Sequence, residues 1–139
     1  MKIFCTGASG YIGGSVAAHL IAAGHQVTGL VRSPEKAEAV RARGIQPVLG
    51  TLDDGEILAH AARAADVVVS TASADHKGAV ASLLGALAGS GKPFIHTSGS
   101  SIVGTRAKGE PPCCVISTFS GNKTGRSFSR TGTIPHRSQ

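Results

Sequence analysis

Aromatic residues are scarce in this chain: 139 residues include no tryptophan, one tyrosine and four phenylalanines, 4% aromatic in all. A surface that stacks nucleic-acid bases needs rings set side by side, and too few are present to build one. The core must instead come from Ala, Val, Ile and Leu, small aliphatics that suit closely packed helix-on-sheet layers. Cysteine is scarce too. Its three copies, Cys5, Cys113 and Cys114, lack the spacing of a zinc site or a disulfide framework, and Cys5 reads as a small buried apolar residue. No apolar run approaches the roughly 20 residues needed to cross a bilayer, and the one after Met1-Lys2 is too short for a signal peptide. The expectation is a cytoplasmic chain with no membrane partner.

Acidic residues are also few, 8 against 14 Lys and Arg, for a formal net charge of +6. The excess is local. Residues 1–104 carry eight Lys/Arg against seven Asp/Glu, whereas residues 105–139 carry six against one. Without a basic stripe in the body, no nucleic-acid partner is expected there.

What is present is a regular alternation. Strand-like runs at Lys2 to Thr6, Gln26 to Val31, Gln46 to Leu49, Asp66 to Thr71 and Pro93 to Thr97 are separated by helical segments. The helices are read at Ser15 to Ala23, Pro34 to Arg43, Asp54 to Ala64 and Lys77 to Ala88. Runs such as Val67-Val68-Val69 lack polar alternation, which marks strands covered on both faces, and the helices between them supply the crossovers of a parallel sheet. Gly24 and Gly44 read as helix stops, while Ser33-Pro34 and Asp53-Asp54 read as helix starts. After Gly104 the periodicity disappears, and residues 105–139 are expected to form an irregular basic tail.

The first strand runs into Thr6-Gly7-Ala8-Ser9-Gly10-Tyr11-Ile12-Gly13-Gly14, a G-x-x-G-x-x-G turn opening a helix. Gly7 permits a sharp turn, Gly10 lets the backbone approach a phosphate, and Gly13 lets the helix pack close to the strand. The helix N-terminus then offers free N–H groups to an anion, as a dinucleotide pyrophosphate requires. Gly7, Ser9, Gly10, Tyr11, Ile12 and Gly13 are the cofactor contacts expected from this turn. Arg32 follows the second strand, where a guanidinium can bind a ribose 2′-phosphate and a carboxylate would repel it, so NADP is favoured over NAD. Lys36, one helical turn on, adds a second cation; the alternative for Arg32 is a surface pair with Glu35.

TGASGYIGG at the first turn, LVRSPEKA, GTLDD, ADVVVSTAS and FIHTSGSSIVG, in that order over about Met1 to Gly104, resemble the N-terminal part of an extended or atypical short-chain dehydrogenase/reductase of the NAD-dependent epimerase/dehydratase group. The resemblance implies a three-layer α/β Rossmann fold with sheet order 3-2-1-4-5, truncated on its C-terminal side. It also implies NAD(P) across the carboxyl ends of the strands and hydride chemistry on a small carbonyl or alcohol substrate. Carried over by position, Leu52 flanks the adenine, Ala72 and Ser73 line the cofactor, and Thr97, Ser98 and Ser100 stand where the family positions its substrate. Ser98 and Ser100 are the catalytic candidates. Thr51 replaces the family's usual Asp, which leaves the adenine-amino contact open.

The family's Tyr-x-x-x-Lys dyad has no counterpart, since the one tyrosine is Tyr11, inside the glycine turn. The change in composition near Gly109 to Pro112 resembles a truncation or a reading-frame shift, and the loss of cover over the fourth and fifth strands favours a homodimer through that flank, docking of the tail or aggregation. Three functions therefore stay open: an NADP-binding domain of an oxidoreductase or epimerase without normal turnover alone, a non-enzymatic NADPH-binding or redox-sensing module, and an interaction module without nucleotide. The six histidines are scattered without ligand spacing, so no metal site is expected. They read as surface or cap residues. Ser98, in TSGS, lacks the G-x-S-x-G elbow of a serine hydrolase.

Overall fold

The computed structural model describes residues 1–98 and, beyond them, the strand pair at 120–121 and 127–128. Its larger unit, Met1–Thr97, alternates strand and helix: β1 (Lys2–Thr6), α1 (Tyr11–Ala22), β2 (Gln26–Val31), α2 (Pro34–Arg41), β3 (Gln46–Leu49), α3 (Gly55–Ala64), β4 (Val67–Ser70), α4 (Lys77–Leu87) and β5 (Phe94–His96). The five strands form one parallel sheet in the order β3-β2-β1-β4-β5. The Rossmann-type order anticipated from the sequence is the one observed.

Side chains alternate across each strand and divide the core in two. On one face Ile3, Cys5, Val27, Val31 and Val69 pack with Ala17 of α1 and with Ala37 and Val40 of α2. On the other, Phe4, Leu30 and Val68 pack with Leu58 and Ala62 of α3 and with Ala79, Leu83 and Leu87 of α4. Both faces of β1 are thus covered, which is why its sequence shows no polar alternation. Cys5 is fully buried, and that burial pushes its thiol above the ordinary value.

Most helix limits follow the sequence signals. Ser33 accepts a hydrogen bond from Lys36 N and caps α2, and Gly24 and Gly44 take left-handed φ values of 87° and 82° after α1 and α2. Two differ. Helix α1 starts at Tyr11, four residues ahead of the expected Ser15, because Gly13 and Gly14 weaken the helical signal while their burial against the turn after β1 fixes the helix there. Asp54 occupies the N-cap place of α3 yet makes no capping bond, its carboxylate turning back to Thr51.

Ile95 shares the face of Val69 and is 55% exposed, so the α1 face of the sheet is uncovered at β5 among the described residues. Ser120–Gly121 and Ser127–Phe128 pair as two short antiparallel strands in the second unit, within a segment whose sequence pattern offers no strand signal. The rest of the expected 105–139 tail, the proposed boundary at 104 and Ser100 lie outside the described residues. No helix among the described residues is long and apolar enough to cross a membrane.

Candidate functional site

The carboxyl ends of β1, β2, β3 and β4 open into one cleft of about 650 Å³, within the usual size of small-ligand pockets. Its wall comes from the β1–α1 turn (Gly7, Ser9, Gly10), the end of β2 (Leu30, Val31, Arg32) with Lys36 of α2, the β3–α3 loop (Thr51, Leu52, Asp53) and the β4–α4 loop (Thr71, Ala72, Ser73, His76). A parallel sheet puts its ligand crevice here because β1 is the switch point, with chain leaving it to opposite sides.

The turn is shaped by what glycine leaves out. Gly7 has φ +75°, and a Cβ there would lie 2.9 Å from Ala72 N. At Gly13 a Cβ would overlap the Gly7 carbonyl oxygen and sit 2.5 Å from Thr71 Oγ1. The Gly7 carbonyl accepts from Gly10 N at 2.9 Å, and the first bond within α1 runs from Gly14 N to Gly10 O, also at 2.9 Å. Gly10 caps the helix without a side chain. The N–H groups of Tyr11, Ile12 and Gly13 therefore stand at the open end of the helix, where no internal acceptor exists and an anion is favoured. A bare backbone turn, kept open by three glycines and facing a cleft, fits a pyrophosphate.

Of the residues picked from the sequence, Gly7, Ser9, Gly10, Arg32, Lys36, Leu52, Ala72 and Ser73 line this cleft. Tyr11, Ile12 and Gly13 stand beside it in the first turn of α1. The Tyr11 and Ile12 side chains are 92% and 51% exposed, and what the two residues offer a ligand is their backbone N–H groups at the helix start. Arg32 and Lys36 are exposed, and neither makes an ion pair among the described residues; the Arg32–Glu35 alternative is not formed. Ser98 is exposed just after β5 and outside the cleft wall.

The cleft also contains side-chain contacts that the sequence pattern does not specify. Thr71, at the end of β4, donates from Oγ1 to Thr6 O at 2.7 Å and so fixes the β4 exit against β1 beneath the glycine turn. Thr51 donates its N–H and hydroxyl to Asp54 Oδ2 at 2.7 and 2.9 Å, which closes the β3–α3 loop on itself. His76 caps α4, Nδ1 accepting from Ala79 N at 3.0 Å, and its Nε2 lies 3.2 Å from Asp53 Oδ1. A histidine one place before a helix, three residues ahead of the Ala79 N–H it accepts from, is the available signal for the cap. The contact with Asp53, 23 residues away, had none.

Asp54 gives this loop an acid dependence. The two bonds from Thr51 hold its carboxyl below the ordinary value of 3.8. A lowered folded-state value means the ionised form stabilises the fold fully above that ordinary value, and the contribution is lost as pH falls through the lowered one. Asp54→Asn is expected to flatten the decline of Tm below about pH 4, measured by circular dichroism; an unchanged acid limb would contradict this role.

Comparison with known proteins agrees with the geometry. A family model described as NAD(P)H-binding matches residues 7–111. The oxidase ucsJ of Acremonium sp is 45% identical over 107 residues, covering 71% of this chain and 31% of that protein. A 4-hydroxy-2-methyl-3-oxo-4-farnesyl-3,4-dihydroquinoline-1-oxide ketoreductase of Stigmatella aurantiaca is 44% identical over 73 residues, 52% of this chain and 22% of that one. Among solved structures, yeast methylglyoxal/isovaleraldehyde reductase Gre2 complexed with NADPH superposes with a TM-score of 0.64 at 26% identity, covering 76% of this chain and 40% of that chain. The chain spans 22% to 38% of the length of these and similar curated relatives. It belongs to the NAD(P)H-binding family, as a Rossmann-type domain whose structural neighbours are reductases and epimerases of the extended short-chain dehydrogenase/reductase group.

Proposed function

We propose that the cleft holds NADP(H) in preference to NAD(H), as the nucleotide-binding part of a reductase or epimerase acting on a small carbonyl or alcohol. The observation carrying this reading is that Arg32 and Lys36 line the same cleft as the glycine turn. The N–H groups of residues 11–13 take the pyrophosphate, Leu52 and the backbone of Ala72 and Ser73 flank the adenosine, and the two cations take the 2′-phosphate. When bound, the nicotinamide ring supplies a hydride donor or acceptor. Proton transfer is a separate requirement. The one tyrosine of these 139 residues stands in the phosphate turn with Ser15 four places on, so Tyr-x-x-x-Lys is not supplied by them, and they bind the cofactor without turning it over alone. That absence equally supports a non-enzymatic NADPH-binding module. Exposed Ile95 supports contact with a second copy at β5, which sedimentation equilibrium would reveal as a dimer.

Calorimetric titration separates these readings. NADPH is expected to bind more tightly than NADH; no heat with either would leave an interaction module. An NADPH oxidation assay over carbonyl substrates is expected to stay at background, and turnover above it would overturn the argument from the missing tyrosine.

A further inference from the structure

The two loops on the adenosine side of the cleft leave β3 and β4 separately, and the one side-chain hydrogen bond joining them among the described residues is His76 to Asp53. Each half of this contact is set up locally. Asp54 binds Thr51 N–H and hydroxyl, and Asp53 N donates to Thr51 Oγ1 at 3.3 Å, so Leu52 and Asp53 form the tip of an internally stapled turn. His76 has its Nδ1 committed as acceptor to Ala79 N, which leaves the ring proton on Nε2, aimed at Asp53 Oδ1. The imidazole thus does two jobs from its two nitrogens: one caps α4, the other ties that helix to the Leu52–Asp53 tip.

We propose that His76 is a positioning residue for nucleotide binding, a strap that holds Leu52 and Asp53 at the cleft wall without being required to touch the ligand. This rests on the NADP(H) reading above. An exposed pair contributes little to the stability of a fold, and the Asp53 side chain is 87% exposed. Its effect is therefore expected in the affinity of a site that needs the tip in one place, where disorder of the free loop reduces the fraction of binding-competent molecules.

The two nitrogens can be tested apart in the full 139-residue chain. His76→Asn places an acceptor where Nδ1 was, retaining the cap with a side chain too short to reach Asp53. His76→Gln places an amide donor near the Nε2 position, retaining the strap and losing the cap. NADPH titration and thermal melting of both variants, with Asp53→Ala and the Asp53→Ala/His76→Asn double variant, give the readout. His76→Asn is expected to keep the wild-type Tm and lose about 3- to 10-fold in NADPH affinity, one ordinary hydrogen bond's worth. His76→Gln should lower Tm and keep most of the affinity, and the double variant should bind no worse than the weaker single one. Affinity that follows Tm across the set, or independent losses in the double variant, would overturn the strap. A wild-type chain that fails to bind NADPH overturns the strap together with the NADP(H) reading, whereas wild-type binding with an unaffected His76→Asn overturns the strap alone.

Discussion

Arg32→Ala is expected to raise the Kd for NADPH by about 10- to 30-fold and to leave NADH within about twofold. A hydrogen bond to a charged group contributes about 1.5 to 3 kcal/mol, and the lower part of that range applies because Arg32 is exposed; at 1.4 kcal/mol per decade this gives the stated factor. The selectivity of the loss matters more than its size. The 2′-phosphate is the chemical difference between the two nucleotides, so a residue that reads it must change one affinity and spare the other. Lys36 sits one helical turn further along the same wall, and Arg32→Ala/Lys36→Ala should bring the two nucleotides to nearly equal Kd. Calorimetry on the two variants checks this. An equal loss for NADPH and NADH would mean that Arg32 only shapes the wall.

The second large effect belongs to Gly13. An alanine there sets its Cβ against the Gly7 carbonyl oxygen and Thr71 Oγ1, and neither group is free to yield: the carbonyl holds Gly10 N, and the threonine hydroxyl is bonded to Thr6 O. Relief has to come from moving α1 away from the sheet or opening the turn, and overpacking of this kind costs about 1 to 3 kcal/mol. For a domain of this size that corresponds to a Tm lower by roughly 4 to 20 °C. Gly13→Ala should also abolish measurable NADPH binding, since the same shift misplaces the amides of residues 11–13. Gly85, in α4 with open space around its Cα, is the control. Gly85→Ala is expected to raise stability by about 0.5 to 1 kcal/mol through helix propensity and to leave binding unaltered. Melting curves and titrations of the two variants distinguish the close approach from a general dislike of alanine.

The parts of the fold that were legible are those where one physical requirement dominates. Val67-Val68-Val69 could only be a strand covered on both sides, and Ser33-Pro34 carried its cap and its fixed φ in adjacent residues, so β4 and the start of α2 stand where the pattern put them. The glycine turn was legible for the same reason, each glycine answering to a separate steric need. Helix α1 shows the limit of such reading: Gly13 and Gly14 are poor helix formers, and only their close approach to Gly7, Ala8 and Thr71 reveals that the helix already contains them. Asp54 holds the N-cap place that acids favour, yet the Thr51 N–H and hydroxyl on the other side along the chain compete successfully for its carboxylate. His76 and Asp53 were each legible as ends of helices, whereas their contact depends on α3 and α4 lying side by side, which no local pattern encodes.

The central claim, that the turn from Gly7 to Gly13 and the ends of β2, β3 and β4 form one dinucleotide site, is tested most directly by following the backbone amide resonances of the isotopically labelled chain during NADPH addition. Shifts concentrated at Gly7 to Gly13, Arg32, Leu52, Ala72 and Ser73, with those in the last turns of α1 and α4 unmoved, are the predicted result. Saturable binding whose shifts fall elsewhere, or no shift at all at millimolar NADPH, would contradict it.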